Sequence, residues 1–240
     1  QHTELFFKLV LHEIDQLTSK DGLGESYFLK KLNRLIRYFE ILTYSFEVMV
    51  DGMEKEQFLK FRMSLLPASG FQSAQYRLIE ISSTDLYNLV DINQRSTLTP
   101  EDNSDKLLDN IYWKNGATEL SSGKKTLTLK QFEDKYMTKF LETANNLKSK
   151  NLLKLYQNNF GSNPSQELVD KLRQYDVLAN ISWPLAHYKS AVRYLQKDPE
   201  DIAATGGTNW QKFLPPKFQK VIFFPDLWSE KEKKEWGKTW

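Results

Sequence analysis

The sequence predicts an all-α fold, arranged as one helical bundle-like domain, and three observations carry that expectation. An apolar seam recurs at helical spacing, helix-start and helix-stop residues punctuate the chain, and no segment alternates apolar with polar residues as a strand would. The seam is Phe28, Leu32, Leu35, Phe39, Leu42, Phe46 and Met49, with spacings of four and three that let a helix pack along a bundle. At 240 residues the chain is long enough to bury a substantial core as one domain spanning 1–240.

The elements follow in order. Glu4 to Leu17 is amphipathic, with Phe6, Val10, Ile14 and Leu17 on one face, and Asp21-Gly22-Leu23-Gly24 breaks it. The seam helix comes next, and its polar face carries Lys30, Lys31, Arg34, Arg37 and Glu40 as a solvated stripe; Asp51-Gly52 ends it. A shorter helix from Glu54 to Leu65 leads into a bend. Between Ile81 and Lys125 the pattern is irregular, with Thr99-Pro100 as a helix start and Ser121 to Lys125 as a loop. Thr128-x-x-Gln131 reads as a capping box for a helix reaching about Ser149. Asn163-Pro164-Ser165-Gln166 opens another, and a last helix holds Trp183 to Gln196. Ala203 to Thr208 reads as a flexible link before a Pro- and Trp-rich tail. The chain starts inside an apparent helix and stops at Trp240, so residues are expected to be missing at both ends.

Composition narrows the classes. Thirty-three basic against thirty-one acidic residues leave a net charge of +2, which gives no reason to invoke nucleic acid or a membrane surface. With no cysteine the chain has neither disulfides nor iron–sulfur clusters, as suits a reducing cytoplasm. No apolar run approaches the roughly 20 residues that span a bilayer.

The bend is the informative stretch: Phe61-Arg62-Met63-Ser64-Leu65-Leu66-Pro67-Ala68-Ser69-Gly70-Phe71-Gln72-Ser73-Ala74-Gln75-Tyr76-Arg77. Pro67 cannot continue a helix, and Ser69-Gly70 supply a hydroxyl and a backbone that another group can approach closely. By residue type alone this is a helix–loop–helix corner flanked by solvated arginines. As a string, however, it resembles the signature of the tryptophan 2,3-dioxygenase family of haem enzymes, over around fifteen positions. A second segment agrees in type and order. Trp183-Pro-Leu-Ala-His187-Tyr-Lys-Ser-Ala-Val-Arg193 is similar to the segment that carries the family's proximal haem ligand, and Thr205-Gly206-Gly207 follows as the family's Thr-Gly-Gly loop does. A lone helical histidine is otherwise a hydrogen-bonded core or surface residue. His12 reads as structural.

The resemblance implies haem b, with His187 as axial ligand to its iron and Ser69 and Gly70 beside the cofactor. It assigns Arg62 to the carboxylate of L-tryptophan, Phe58, one turn earlier on the same face, to the indole, Ser69 to the distal side and Thr205 to the substrate ammonium. The implied reaction inserts both atoms of O2 across the indole C2–C3 bond to give N-formylkynurenine, in a cytoplasmic homotetramer built as a dimer of dimers. In the family a distal histidine lies four residues before Glu-Leu-aromatic-aromatic-Lys. Here that motif is Glu4-Leu5-Phe6-Phe7-Lys8, so the histidine is expected just upstream of Gln1, and His2 lies two residues out of register. Pro184 stands where the family often has arginine, which places the start of its helix near Trp183. Trp210 stands where a small residue is common, which suggests the alternative of another indole substrate. A non-catalytic haem- or ligand-binding helical protein and a cofactor-free scaffold are the readings from other classes.

Overall fold

A computed structural model describes residues 2–62, 72–115, 125–195 and 215–238. Among these residues the architecture is helical, with no strand and a single isolated antiparallel bridge between Val90 and Ile111. The longer helices are α1 (His2–Thr18), α2 (Glu25–Ser45), α5 (Ala74–Ser83), α8 (Leu127–Leu147), α10 (Gln166–Val177) and α11 (Trp183–Leu195). Shorter ones are α3 (Glu47–Val50), α4 (Lys55–Arg62), α6 (Ser104–Asp109), α7 (Tyr112–Asn115), α9 (Leu152–Asn159), α12 (Pro216–Gln219) and α13 (Glu230–Glu235).

The seam on α2 is the centre of the packing. Phe28, Leu32, Leu35, Phe39 and Leu42 are all fully buried, against α1 on one side and α10 on the other. Each such side chain is worth about 1.5–3 kcal/mol relative to exposure. Gly22 (φ 63°) makes the sharp return between α1 and α2, a left-handed conformation that costs glycine nothing. The seam is not one rigid helix. The Phe46 N–H closes onto Thr43 O, a tightened turn that ends α2 at Ser45, and the chain restarts as α3 before Asp51 ends it. The polar stripe is also less uniform than its composition suggests. Lys31 is buried and donates to Glu13 at 2.8 Å, and Arg34 pairs with the other Glu13 oxygen at 2.8 Å, which clamps α1 to α2.

Two helix starts lie elsewhere than the sequence patterns place them. Thr99 and Pro100 form a turn in which Thr99 N–H donates to Asp102 Oδ2, and Asn103 caps α6 instead. Helix α8 is capped by Thr126, whose hydroxyl accepts from Leu129 N–H, while the Thr128 hydroxyl is engaged by Gln72 and Thr126. The Ser165 cap of α10 is as expected. Positions 121–124 and the link at 203–208 lie outside the described residues.

The segment 215–238 is a packed part of the fold. Val221, Phe223, Phe224, Trp228 and Trp236 are buried, and their anchor is the carboxylate of Asp176 on α10. It accepts from the backbone N–H groups of Phe223 (2.8 Å) and Phe224 (3.0 Å), from Trp228 Nε1 (3.0 Å) and from Asn180 Nδ2 (2.8 Å). Thr84 adds a bond to Phe223 O at 2.7 Å, and the Arg173 guanidinium lies over the Trp228 ring.

Candidate functional site

Helix α11 presents His187. Its α-helical register begins at Trp183, as Pro184 led the sequence reading to expect, but the start is not a free one. Helix α10 runs through a π-helical turn, Leu178–Ser182, straight into α11, with Trp183 N–H bonded to Leu178 O. Pro184 therefore stands inside a continuous helical run, at the point where the ladder has slipped by one residue. Helix α11 packs against α2, α3 and α4. That arrangement brings the His187 helix next to the helix carrying Phe58 and Arg62.

The His187 imidazole is half-buried, with its ring 5.7 Å from that of Phe46. Burial lowers its pKa from the ordinary value, which favours the neutral ring. Among the described residues it forms no hydrogen bond. A neutral imidazole has the donor chemistry of an axial haem ligand, so His187 fits the group that the resemblance implies. A cavity of about 350 Å³ lies near Phe46, lined by Thr43, Glu47, Val50, Leu185 and Ala186 among others, but His187 does not line it.

The remaining expected residues are placed unevenly. Phe58 is half-buried on α4 and packs on the main core. Arg62 is the last residue of α4, placed by its backbone. Ser69, Gly70, Thr205, Gly206, Gly207 and Trp210 lie outside the described residues.

The structure joins the sequence motifs through contacts that residue spacing does not reveal. The carboxylate of Glu4 accepts from Ser73 Oγ (2.6 Å) and Gln75 Nε2 (2.6 Å), so the α1 motif is tied to the downstream arm of the bend. Glu4→Ala should loosen that arm at a cost of about 1–2 kcal/mol, from two bonds to a half-exposed carboxylate, read as a lower urea midpoint. An unchanged midpoint would show that apolar packing alone holds the arm. Aromatic rings continue the connection. Tyr76 lies 5.2 Å from Phe7, Phe7 5.7 Å from Trp183, and Trp183 4.8 Å from Phe46, which in turn faces His187. His2, at the start of α1, is exposed with its ring edge against Phe6.

Arg77 is not a solvated flank of the bend. It is buried, with Nη1 at 2.8 Å from both Glu80 Oε2 and Tyr112 OH, while that hydroxyl donates to Glu80 Oε1 at 2.6 Å. Burial pushes the Glu80 carboxyl up, and Arg77 and Tyr112 draw it back in part. This triad joins α5 to α7 and keeps the bend's downstream arm rigid. Arg77 and Glu80 lie one helical turn apart, in and just beyond the bend motif, whereas Tyr112 comes from a distant part of the sequence.

A family model described as Tryptophan 2,3-dioxygenase matches residues 1–198. Among curated proteins, Tryptophan 2,3-dioxygenase 2 of Ralstonia nicotianae is 45% identical over 84 residues, covering 32% of this chain and 22% of its own length. Tryptophan 2,3-dioxygenase of Alteromonas mediterranea is 37% identical over 84 residues, 33% of this chain and 23% of its own. The protein of the same name from Anopheles gambiae is 38% identical over 86 residues, 33% and 22%. The matched stretch thus covers under a quarter of each of these relatives. The segment 215–238 lies beyond the matched range.

Proposed function

The chain belongs to the tryptophan 2,3-dioxygenase family, and from that premise we propose that it inserts both atoms of O2 across the indole C2–C3 bond of L-tryptophan, giving N-formylkynurenine in tryptophan catabolism. The observation that carries the proposal is His187. A neutral, half-buried imidazole without a hydrogen bond among the described residues stands on a helix packed against the one that bears Phe58 and Arg62. Haem b, held by His187 with Ser69 and Gly70 of the bend beside it, would supply the iron that binds and activates O2.

The chain's own residues do the positioning. Arg62 pairs in bidentate fashion with the substrate carboxylate, because a planar fork of donors stays charged away from water. Phe58 packs on the indole, and its i, i+4 relation to Arg62 fixes ring and carboxylate relative to each other. Thr205 holds the substrate ammonium, and Gly206 and Gly207 let the backbone come close to it. The Phe46 ring, itself packed on Trp183, gives the histidine an apolar neighbour on one side. Both oxygen atoms end in the product, so no external reductant is consumed. The assembly is a cytoplasmic homotetramer, a dimer of dimers.

The test is an anaerobic absorption spectrum of the reduced, haem-reconstituted protein, before and after L-tryptophan, followed by turnover in air. A Soret band perturbed by tryptophan, with product formed, is the expected result. Arg62→Leu should raise the KM for L-tryptophan about 100-fold, the worth of about 2–3 kcal/mol for a charge-assisted pair, and leave that for tryptamine nearly unchanged. No haem uptake, or equal KM for the two substrates in the unsubstituted protein, would overturn the reading.

A further inference from the structure

We propose that Tyr76 is a positioning residue for His187: its hydroxyl stands in for the backbone donor that Pro184 lacks and so holds the register of the helix that presents the imidazole. The inference rests on the reading of His187 as the axial ligand. Nothing in the motif spacing points to it, because the two residues that meet are 103 positions apart.

The geometry is as follows. Within the π-helical turn Leu178–Ser182, Trp183 N–H bonds to Leu178 O, five residues back. The next bond in that register would run from residue 184 to Ala179 O, but proline has no N–H. Ala179 is fully buried, so water does not solvate its carbonyl. Tyr76 OH, on α5, donates to that oxygen at 2.8 Å. Burial raises the Tyr76 pKa well above its ordinary value, so the hydroxyl keeps its proton across the working range.

The bond also decides between two registers. In an uninterrupted α-helix Ala179 O would accept from Trp183 N–H instead. Occupying that oxygen with the Tyr76 hydroxyl leaves Trp183 N–H to Leu178 O and keeps the slipped turn. One slipped residue rotates everything after it by about 100° around the helix axis. His187 lies four residues beyond Trp183, on the same face, within the row of rings that runs through Phe46 and Trp183. The hydroxyl thus selects the side of α11 on which the imidazole emerges.

The experiment compares four proteins: unsubstituted, Tyr76→Phe, Pro184→Ala and the double variant. Alanine at position 184 restores an N–H, so Ala179 O no longer depends on Tyr76. The readouts are the rate of haem loss, the absorption spectrum of the axially ligated iron, and the thermal midpoint of the haem-free chain. Tyr76→Phe should speed haem loss about tenfold and shift the spectrum in the native background, yet change haem loss less than twofold when residue 184 is alanine. The same rescue should appear in the midpoint of the haem-free chain. Equal effects of Tyr76→Phe in both backgrounds, or none in either, would overturn the positioning role alone. Absence of haem from the unsubstituted protein would overturn the dioxygenase reading and the positioning role with it.

Discussion

Asp176→Ala is expected to lower folding stability by about 3–5 kcal/mol, the range for removing one partner from a buried charged network. It should also free the segment 215–238 from α10. The carboxylate accepts four hydrogen bonds, three of them from Phe223, Phe224 and Trp228, and those N–H groups would be left without acceptors in a closed interior. Other ties to the segment would remain, from Thr84 to Phe223 O, Arg95 to Lys220 O, Gln157 to Asp226 and Arg173 to Leu227 O and Glu232, but none of them reaches the N–H groups that Asp176 satisfies. Urea unfolding measures the loss, and limited proteolysis within 215–238 reads the release. Loss of stability without new cleavage would mean that apolar packing retains the segment unaided.

The same residue gives a pH dependence with a definite sign. Burial pushes the Asp176 carboxyl up to about 6, and its four donors draw it back only in part. The ordinary value is about 3.9, so between roughly pH 4 and 6 the folded chain takes up a proton that the unfolded chain does not. That contribution is fully present below the window and lost as the pH rises through 6. The stability gap between the unsubstituted protein and Asp176→Ala should therefore be wider at pH 4.5 than at pH 7.5, by no more than about 3 kcal/mol at 1.36 kcal/mol per unit. A gap that widens towards alkaline pH would show that the hydrogen bonds outweigh burial.

Local rules made the all-α class and the α2 seam legible, because burying one stripe leaves a period of three and four in the sequence. The same rules failed where a tertiary partner competed. Thr128 has the spacing of a cap, but its hydroxyl is taken by Gln72 from another helix, so Thr126 serves. Lys31 sits in a charged stripe yet is buried, because Glu13 on α1 reaches it. Pro184 reads as a helix start and α11 does start at Trp183, but no local rule anticipates the π-helical turn before it or the tyrosine from α5 that bonds there. The site shows the same division. Phe58 and His187, both named from motifs, lie on packed neighbouring helices, α4 and α11. Glu4, Tyr76 and Asp176 take part through long-range hydrogen bonds, and residue type alone carries no sign of such a partner.

His187→Ala is expected to abolish haem retention while leaving the fold nearly intact, and the two halves of that outcome have separate causes. The imidazole is half-buried and touches Phe46, and among the described residues it bonds to nothing. Truncating such a side chain should cost only about 1–2 kcal/mol, through lost packing against one ring. Among the described residues no hydrogen-bond network collapses with it, in contrast to Asp176. The cofactor, by comparison, would lose its one protein–iron bond, and the hydrophobic contacts that remain do not fix an axial position. Equilibrium unfolding and the Soret band should therefore diverge in this variant: a small shift in the first and loss of the second. His12→Ala supplies the contrast, since His12 is exposed and bonded to Gln16 on the same helix, and it should keep its haem. An unchanged Soret band in His187→Ala would move the iron ligand to another residue and remove the observation on which the dioxygenase reading stands.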